Sequence, residues 1–253
     1  MRRLSRRDVA LLVAGILAVV GLGFSLRQQQ TATVAVDPAN AHVDRLAAPL
    51  SGRPTALIIS DAYTSGTGLA ELSYGCQAVN RMGWLCETAA EAGTGYVSGG
   101  AANRFPVGSN SGMSTSFGER IPRLAATYDP QVVILDGGRN DQFVPPEARF
   151  EVTASAIAQA HQTWPNARIV FVAPRFLDRP ADDLDVNEKT IDQLKKASGF
   201  KDLVVVDPAA GFKDRDTAAL ISSDGTKPSP EGEQALAAAL ADDLKRNGFE
   251  PAT

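Results

Sequence analysis

Histidine and cysteine are scarce, present only as His42 and His161 and as Cys76 and Cys86. The two cysteines do not form a C-x-x-C pair, and the usual zinc-ligand spacings are absent, so no metal and no other cofactor is expected. Basic clusters are missing too, beyond the first seven residues, and the net charge is −4. A nucleic-acid partner needs a cationic patch to neutralise phosphates, so that class of partner is excluded. Hydrophobic residues make up 44% of the chain and charged ones 21%. This balance supports one packed domain of ordinary size, with a tail.

The tail comes first. Arg2, Arg3, Arg6 and Arg7 precede a stretch without charge from Val9 to Leu26. As a helix that stretch would run roughly 27 Å, close to the hydrocarbon thickness of a bilayer. Arginines on its N-terminal side place that end in the cytoplasm and the rest of the chain across the membrane. A cleaved signal peptide is the competing reading, but Phe24-Ser25-Leu26-Arg27-Gln28 is a poor small-x-small cleavage site. Residues 1–27 are read as a cytoplasmic stub and transmembrane anchor, with secretion as the alternative. Residues 28–53, with a Gln run and no sustained periodicity, read as a tether. His42 falls in it and reads as a solvated linker residue.

Residues 54–253 carry the domain. Ala56–Ile59, Val132–Leu135, Ile169–Val172 and Leu203–Val206 are short continuous apolar runs, as in strands covered on both faces. A weaker strand lies near Leu85–Ala89. Helical patterns separate them, over Leu69–Met82, Pro146–Thr163, Val186–Ala197 and Glu231–Arg246. Alternation of this kind predicts an α/β fold, a flavodoxin-like three-layer α/β/α arrangement around a parallel sheet of about five strands. Parallel sheets bind ligands beyond the C-terminal ends of their strands. Polar, Gly-rich loops stand there: Ser60-Asp61-Ala62-Tyr63, Glu91-Ala92-Gly93-Thr94-Gly95, and Gly138-Arg139-Asn140-Asp141. A fourth, Asp224-Gly225-Thr226-Lys227-Pro228, precedes the last helix.

In order and spacing these four loops resemble the SGNH/GDSL hydrolases, over roughly Thr55 to Arg246. The resemblance implies a Gly-Asp-Ser block at Ser60-Asp61-Ala62, an oxyanion-hole glycine at Gly93, and a complete Gly-x-Asn-Asp block ending in Asn140-Asp141. It implies an Asp-x-x-His block at Asp224-Gly225-Thr226-Lys227. Two of its reactive residues are replaced. Ala62 stands at the nucleophile position, and Lys227 at the base position, where a protonated ammonium cannot accept a proton. Gly93, Asn140 and Asp224 remain as the expected oxyanion-hole and orienting residues, with a purely structural role as the alternative for Asn140. Ser60, Thr64 and Ser65 are weighed as substitute nucleophiles and disfavoured, because hydroxyls at such positions usually serve turns and caps. His161, inside a helix, reads as a surface or core residue.

Outside the membrane a disulfide is permitted. Cys76 lies about 9 Å back from the end of its helix, and Cys86 about 10 Å along the following strand, so the two are level. Two buried thiols are the alternative. Three functions follow: a catalytically inactive envelope domain binding an acylated glycan, a lipid or a protein; an esterase or acyltransferase with a rearranged nucleophile; or a structural envelope protein with a vestigial pocket.

The topology reading predicts that the full-length chain stays with membranes through a carbonate wash. Recovery of a soluble chain beginning near residue 28 would overturn it.

Overall fold

The computed structural model describes residues 52–65, 69–107 and 112–252. The expected anchor and nearly all of the tether lie outside these residues. Among the described residues, no helix is long and apolar enough to cross a membrane.

Five strands form one wholly parallel sheet: β1 (Thr55–Ser60), β2 (Leu85–Ala90), β3 (Val132–Asp136), β4 (Arg168–Val172) and β5 (Val204–Val206). Their order is β2-β1-β3-β4-β5. The helices are α1 (Ala62–Ser65), α2 (Tyr74–Arg81), α3 (Phe117–Leu124), α4 (Pro146–Thr163), α5 (Glu188–Ser198) and α6 (Pro230–Arg246).

Side-chain alternation along the strands feeds two separate cores. Ala56, Ile58, Val132, Ile134, Val170 and Val172 pack with residues of α2 and α6 on one face. Leu57, Ile59, Val133, Leu135, Ile169 and Phe171 pack with α3, α4 and α5 on the other. Apart from polar end residues the central strands are apolar throughout, over Ala56–Ile59, Val132–Leu135 and Ile169–Val172, since neither face meets water there. Each fully buried Leu or Ile contributes roughly 1.5–3 kcal/mol relative to exposure. This is the three-layer α/β/α architecture expected from the alternating runs.

The boundaries differ where caps intervene. The helix expected from Leu69 begins at Tyr74, because Ser73 caps it, its hydroxyl accepting from the Cys76 N–H at 3.3 Å. Leu69 and Leu72 fall before that cap and are exposed. The helix expected from Val186 begins at Glu188, capped by Asn187. Helix α3 was not apparent in the sequence. It is short, contains Pro122, and is fixed by a capping box between Ser116 and Glu119.

Cys76 on α2 and Cys86 on β2 form a disulfide with a Cα–Cα distance of 5.4 Å. It pins the helix to the edge strand of the sheet. Helix α2 is also joined to α6, where the Tyr74 N–H donates to Glu233 Oε2. Glu233 is buried, and its Oε1 has no hydrogen-bond partner among the described residues.

Burial is the main cause that raises the Glu233 carboxyl from 4.5 to about 7; the Tyr74 amide and the Lys227 charge oppose it and Asp136 reinforces it. In the fold this group keeps its proton to a higher pH than in the unfolded chain, so stability falls as pH rises from about 4.5 to about 7. Replacing the carboxyl with an amide removes that loss while keeping an acceptor for Tyr74. Glu233→Gln should therefore flatten the stability profile between pH 5 and 7.5 and raise stability at pH 7.5 by about 1–2 kcal/mol. Urea unfolding at several pH values measures it. A parallel profile for wild type and variant would refute the assignment.

Candidate active site

The chain leaves β1 in one direction to form β2, and β3 pairs on the other side of β1. In sheets of this class such a reversal, here at the C-terminal ends of β1 and β3, marks the crevice in which ligands bind. Asp61 follows β1 directly, and the 138–141 turn follows β3.

Asp61 is 1% exposed. Its Oδ1 accepts from the Tyr63 N–H at 2.8 Å and its Oδ2 from Asn140 Nδ2 at 2.9 Å. Burial raises its pKa to about 6; nearby Arg139 opposes that shift and Asp136 adds to it. Asn140 Nδ2 donates a second bond to the Thr94 carbonyl at 2.8 Å. Both amide hydrogens of Asn140 are thus directed at protein acceptors in this structure. The loops after β1, β2 and β3 meet at this one side chain.

Asp141 organises the loop after β2. Its carboxylate accepts from three successive backbone amides, Tyr96 at 2.8 Å, Val97 at 3.3 Å and Ser98 at 2.7 Å. The loop comes so close that a Cβ on Gly95 would lie 2.5 Å from Asp141 Oδ2. Glycine is required there by space, and at Gly138 by conformation, since its φ is +99°. The Ser98 hydroxyl adds a bond to the Asn140 carbonyl at 2.9 Å.

Arg120, on α3, holds the other side of the same loop. Its guanidinium donates to the carbonyls of Ser60 at 3.1 Å and Ala89 at 2.6 Å, and to the Thr94 hydroxyl at 2.7 Å. Burial lowers its pKa to about 10, so it stays cationic at neutral pH. Beneath the crevice, Asp136 pairs with Arg139 at 2.8 Å, and both are buried. The Tyr74 hydroxyl also donates to Asp136, and the Arg139 guanidinium stacks over the Tyr63 ring at 4.3 Å.

The residues singled out by sequence fall into two groups. Ala62 opens α1 immediately after Asp61, and Gly93 precedes Thr94, with φ +75°. They thus adjoin in sequence Asp61 and Thr94, the two acceptors of the Asn140 amide. Asp224 and Lys227 belong to the turn before α6. Asp224 is fully exposed, and its Oδ1 accepts from the Ser222 hydroxyl at 2.6 Å and from the Thr226 N–H and hydroxyl at 3.0 and 2.8 Å. Those bonds, the Ser222 one foremost, hold its pKa down to about 2. The Lys227 charge also acts on Asp224 and on Glu233, lowering both. Asp136 links the groups electrostatically, because its charge raises both Asp61 and Glu233.

Of the weighed substitute nucleophiles, Ser60 and Thr64 are each 1% exposed. The Thr64 hydroxyl lies 3.4 Å from the Asp136 carbonyl, as a donor. His161 is stacked on Phe200 at 4.1 Å between ring centroids, on the helical layer, as a packing residue. No group of three or more His, Cys, Asp or Glu among the described residues is arranged to hold a metal ion.

Arg120, Asp141 and Glu233 had no role in the sequence reading. Asp141 sat inside a recognised block, so its position was visible but its three amide partners were not. Arg120 carries no local signal, being an ordinary basic residue in a short helix.

Known proteins agree with this architecture. A family two carbohydrate esterase from Clostridium thermocellum, in an active-site mutant form, superposes with a TM-score of 0.55 at 19% identity, covering 77% of this chain and 64% of its own. A family two carbohydrate esterase from Cellvibrio japonicus gives 0.56 at 16% identity, over 77% of this chain and 62% of its own. The chain thus spans less than two thirds of the length of these two esterases. The psychrotrophic esterase EstA from Pseudoalteromonas sp. gives 0.54 at 14% identity, over 76% of this chain and 97% of its own. At such identities the likeness concerns the fold. No curated protein matches the chain. The profile of the GDSL-like lipase/acylhydrolase family matches residues 61–235, spanning all four loops and most of the domain. The chain belongs to the GDSL-like lipase/acylhydrolase family.

Proposed function

We propose that this is a GDSL-hydrolase-like domain of the cell envelope that binds an acylated glycan, a lipid or a protein partner and does not hydrolyse esters by the serine mechanism. The observation that carries the reading is the methyl group of Ala62 at the nucleophile position. Serine hydrolysis needs a hydroxyl to attack the acyl carbon and a neutral base to take its proton. Here there is no hydroxyl, and the base position holds Lys227, whose ammonium has no lone pair to offer. In serine hydrolases, loss of either partner costs on the order of a million-fold in turnover.

The surrounding geometry supports the same reading. With both Asn140 amide hydrogens bonded to Asp61 and Thr94, an incoming oxyanion would have to displace one of them. Buried Ser60 and Thr64 do not reach outward as replacements. The architecture is nevertheless kept in order by Asp141 and Arg120, which suits retention of a ligand cleft after loss of chemistry. A related C. thermocellum esterase is described in complex with cellohexaose, which makes a glycan portion a reasonable first ligand to try. Attachment through residues 9–26 would place the domain outside the membrane.

The unmodified protein should hydrolyse p-nitrophenyl acetate no faster than a boiled control and should not take up a serine-directed phosphonate probe. Ala62→Ser alone should change little, because Lys227 cannot accept the hydroxyl proton. The double variant Ala62→Ser with Lys227→His should recover measurable turnover. Among the described residues the three hydrogen bonds to Asp224 fall on Oδ1, and the variant's imidazole N–H is to be received at Oδ2. Robust hydrolysis by the unmodified protein that survives mutation of Ser60, Thr64 and Ser65 would show the site assignment to be wrong.

A further inference from the structure

A groove of about 710 Å³ lies between α4, α5 and the end of β4, in the helical layer on one side of the sheet. Protein interiors are close-packed, with few voids larger than a water molecule. A space of this size falls within the roughly 300–1,000 Å³ typical of sites for small organic ligands. Its walls are chiefly apolar, with Phe150, Phe171, Leu184, Val186 and Leu194 among them. None of Asp61, Ala62, Gly93, Asn140, Asp224 or Lys227 lines it.

The charges of the groove are sorted by helix. Its charged lining consists of Glu147, Arg149, Glu151, Asp185 and Lys196. Arg149 is paired with Asp185, so these two neutralise each other. None of the other three takes part in an ion pair among the described residues. Glu147 and Glu151 stand one turn apart on α4, and Lys196 stands on α5. One helix therefore offers uncompensated acid and the other an uncompensated base.

Tyr96 supplies a second observation. It lines the groove, is 2% exposed, and its hydroxyl has no hydrogen-bond partner among the described residues. Buried polar groups are normally paired, so an occupant that pairs with this hydroxyl is favoured. The backbone marks the same place. Leu184 and Asp185, with φ of 49° and 66°, are the non-glycine residues of positive φ among the described residues, and both line the groove. Strained backbone of this kind concentrates at ligand clamps.

A fitting occupant brings apolar bulk, a cation, an anion set apart from it, and a hydrogen-bonding group between them. A hydrocarbon chain lacks the last of these, and a neutral sugar lacks both charges. A single amino acid carries its two charges on one carbon, whereas packed helices lie about 8–10 Å apart between axes. A peptide of three residues extends up to about 10 Å. We propose that this groove binds a short free peptide, its ammonium terminus at Glu147 and Glu151, its carboxylate terminus at Lys196, and its apolar side chains among the walls. The peptide backbone supplies the partner for the Tyr96 hydroxyl. The proposal does not rest on loss of ester hydrolysis, because no residue replaced in the family blocks lines the groove.

The test is calorimetric titration of the full-length protein in detergent micelles with trileucine, which should bind saturably. N-acetyl-trileucine and trileucine amide should each bind about two- to fivefold more weakly, the range for exposed charge pairs. Glu147→Gln with Glu151→Gln should abolish the penalty for acetylation and keep that for amidation. Lys196→Gln should do the reverse. Tyr96→Phe should weaken all three peptides by about two- to tenfold, the scale of one hydrogen bond. Ala197→Trp, filling the space, should weaken them at least tenfold. Ala62→Ser with Lys227→His should change nothing, which separates this site from the proposed loss of hydrolysis. Absence of saturable binding, capped peptides that bind as well as the free one, or capping penalties unaltered by the glutamine variants would each overturn the proposal. The glutamine positions are exposed, so this outcome does not depend on whether the tryptophan variant folds. Displacement of trileucine by palmitate or cellohexaose at equal concentration would overturn it too, by assigning the groove to a lipid or a glycan.

Discussion

Asp136 ends the central strand with its carboxylate fully buried, and a buried carboxylate must be neutralised or hydrogen-bonded to be tolerated. Arg139, three residues on, supplies the charge, and the Tyr74 hydroxyl supplies a further donor. Satisfying this one group fixes much else. Arg139 must turn inward from the 138–141 turn, which places Asn140 beside Asp61. Tyr74 must sit at the start of α2, which brings its amide to Glu233 on α6. The carbonyl of Asp136 also receives the Thr64 hydroxyl, drawing α1 onto the strand end. Removal of either partner would strand a charge in the interior, a loss that costs several kcal/mol where it has been measured.

Above that layer, Asp141 and Arg120 do complementary work on the loop after β2. Asp141 gathers the loop's backbone amides, and Arg120 ties the loop's Thr94 hydroxyl to the carbonyls of Ser60 on β1 and Ala89 on β2. The loop is therefore shaped by side chains from elements on either side of it, and not by its own sequence alone. Its form is set independently of which residues stand at positions 62 and 227.

The fold was legible because hydrophobicity reports burial directly. Four apolar runs became four strands, and α4 spans the residues its pattern indicated. The edge strand β2 was weaker in the sequence because only part of it is covered, as its half-exposed Leu85 and Cys86 show. Helix α3 was hidden by Pro122 and by its position after a long loop. The cysteine pairing could be read because helix and strand rises are regular enough to compare. In the site, the family blocks pointed to the loops that carry Ala62, Gly93 and Asn140 but not to the partners of the Asn140 amide, since hydrogen bonds between distant loops leave no trace in spacing. Arg120 and Glu233 were missed for the same reason: each acts on groups dozens of residues away.

The Cys76–Cys86 bridge closes a short loop, with a sequence separation of 10. Helix α2 packs chiefly against α6, and Trp84 and Met82 are bonded to residues 250 and 252. A chain delivered from its N-terminus presents α2 and β2 long before those partners emerge. The crosslink needs nothing from the later sequence. It lets an emerging chain hold the helix against its strand covalently while 167 of the domain's 200 residues, those after Cys86 in 54–253, are still being delivered.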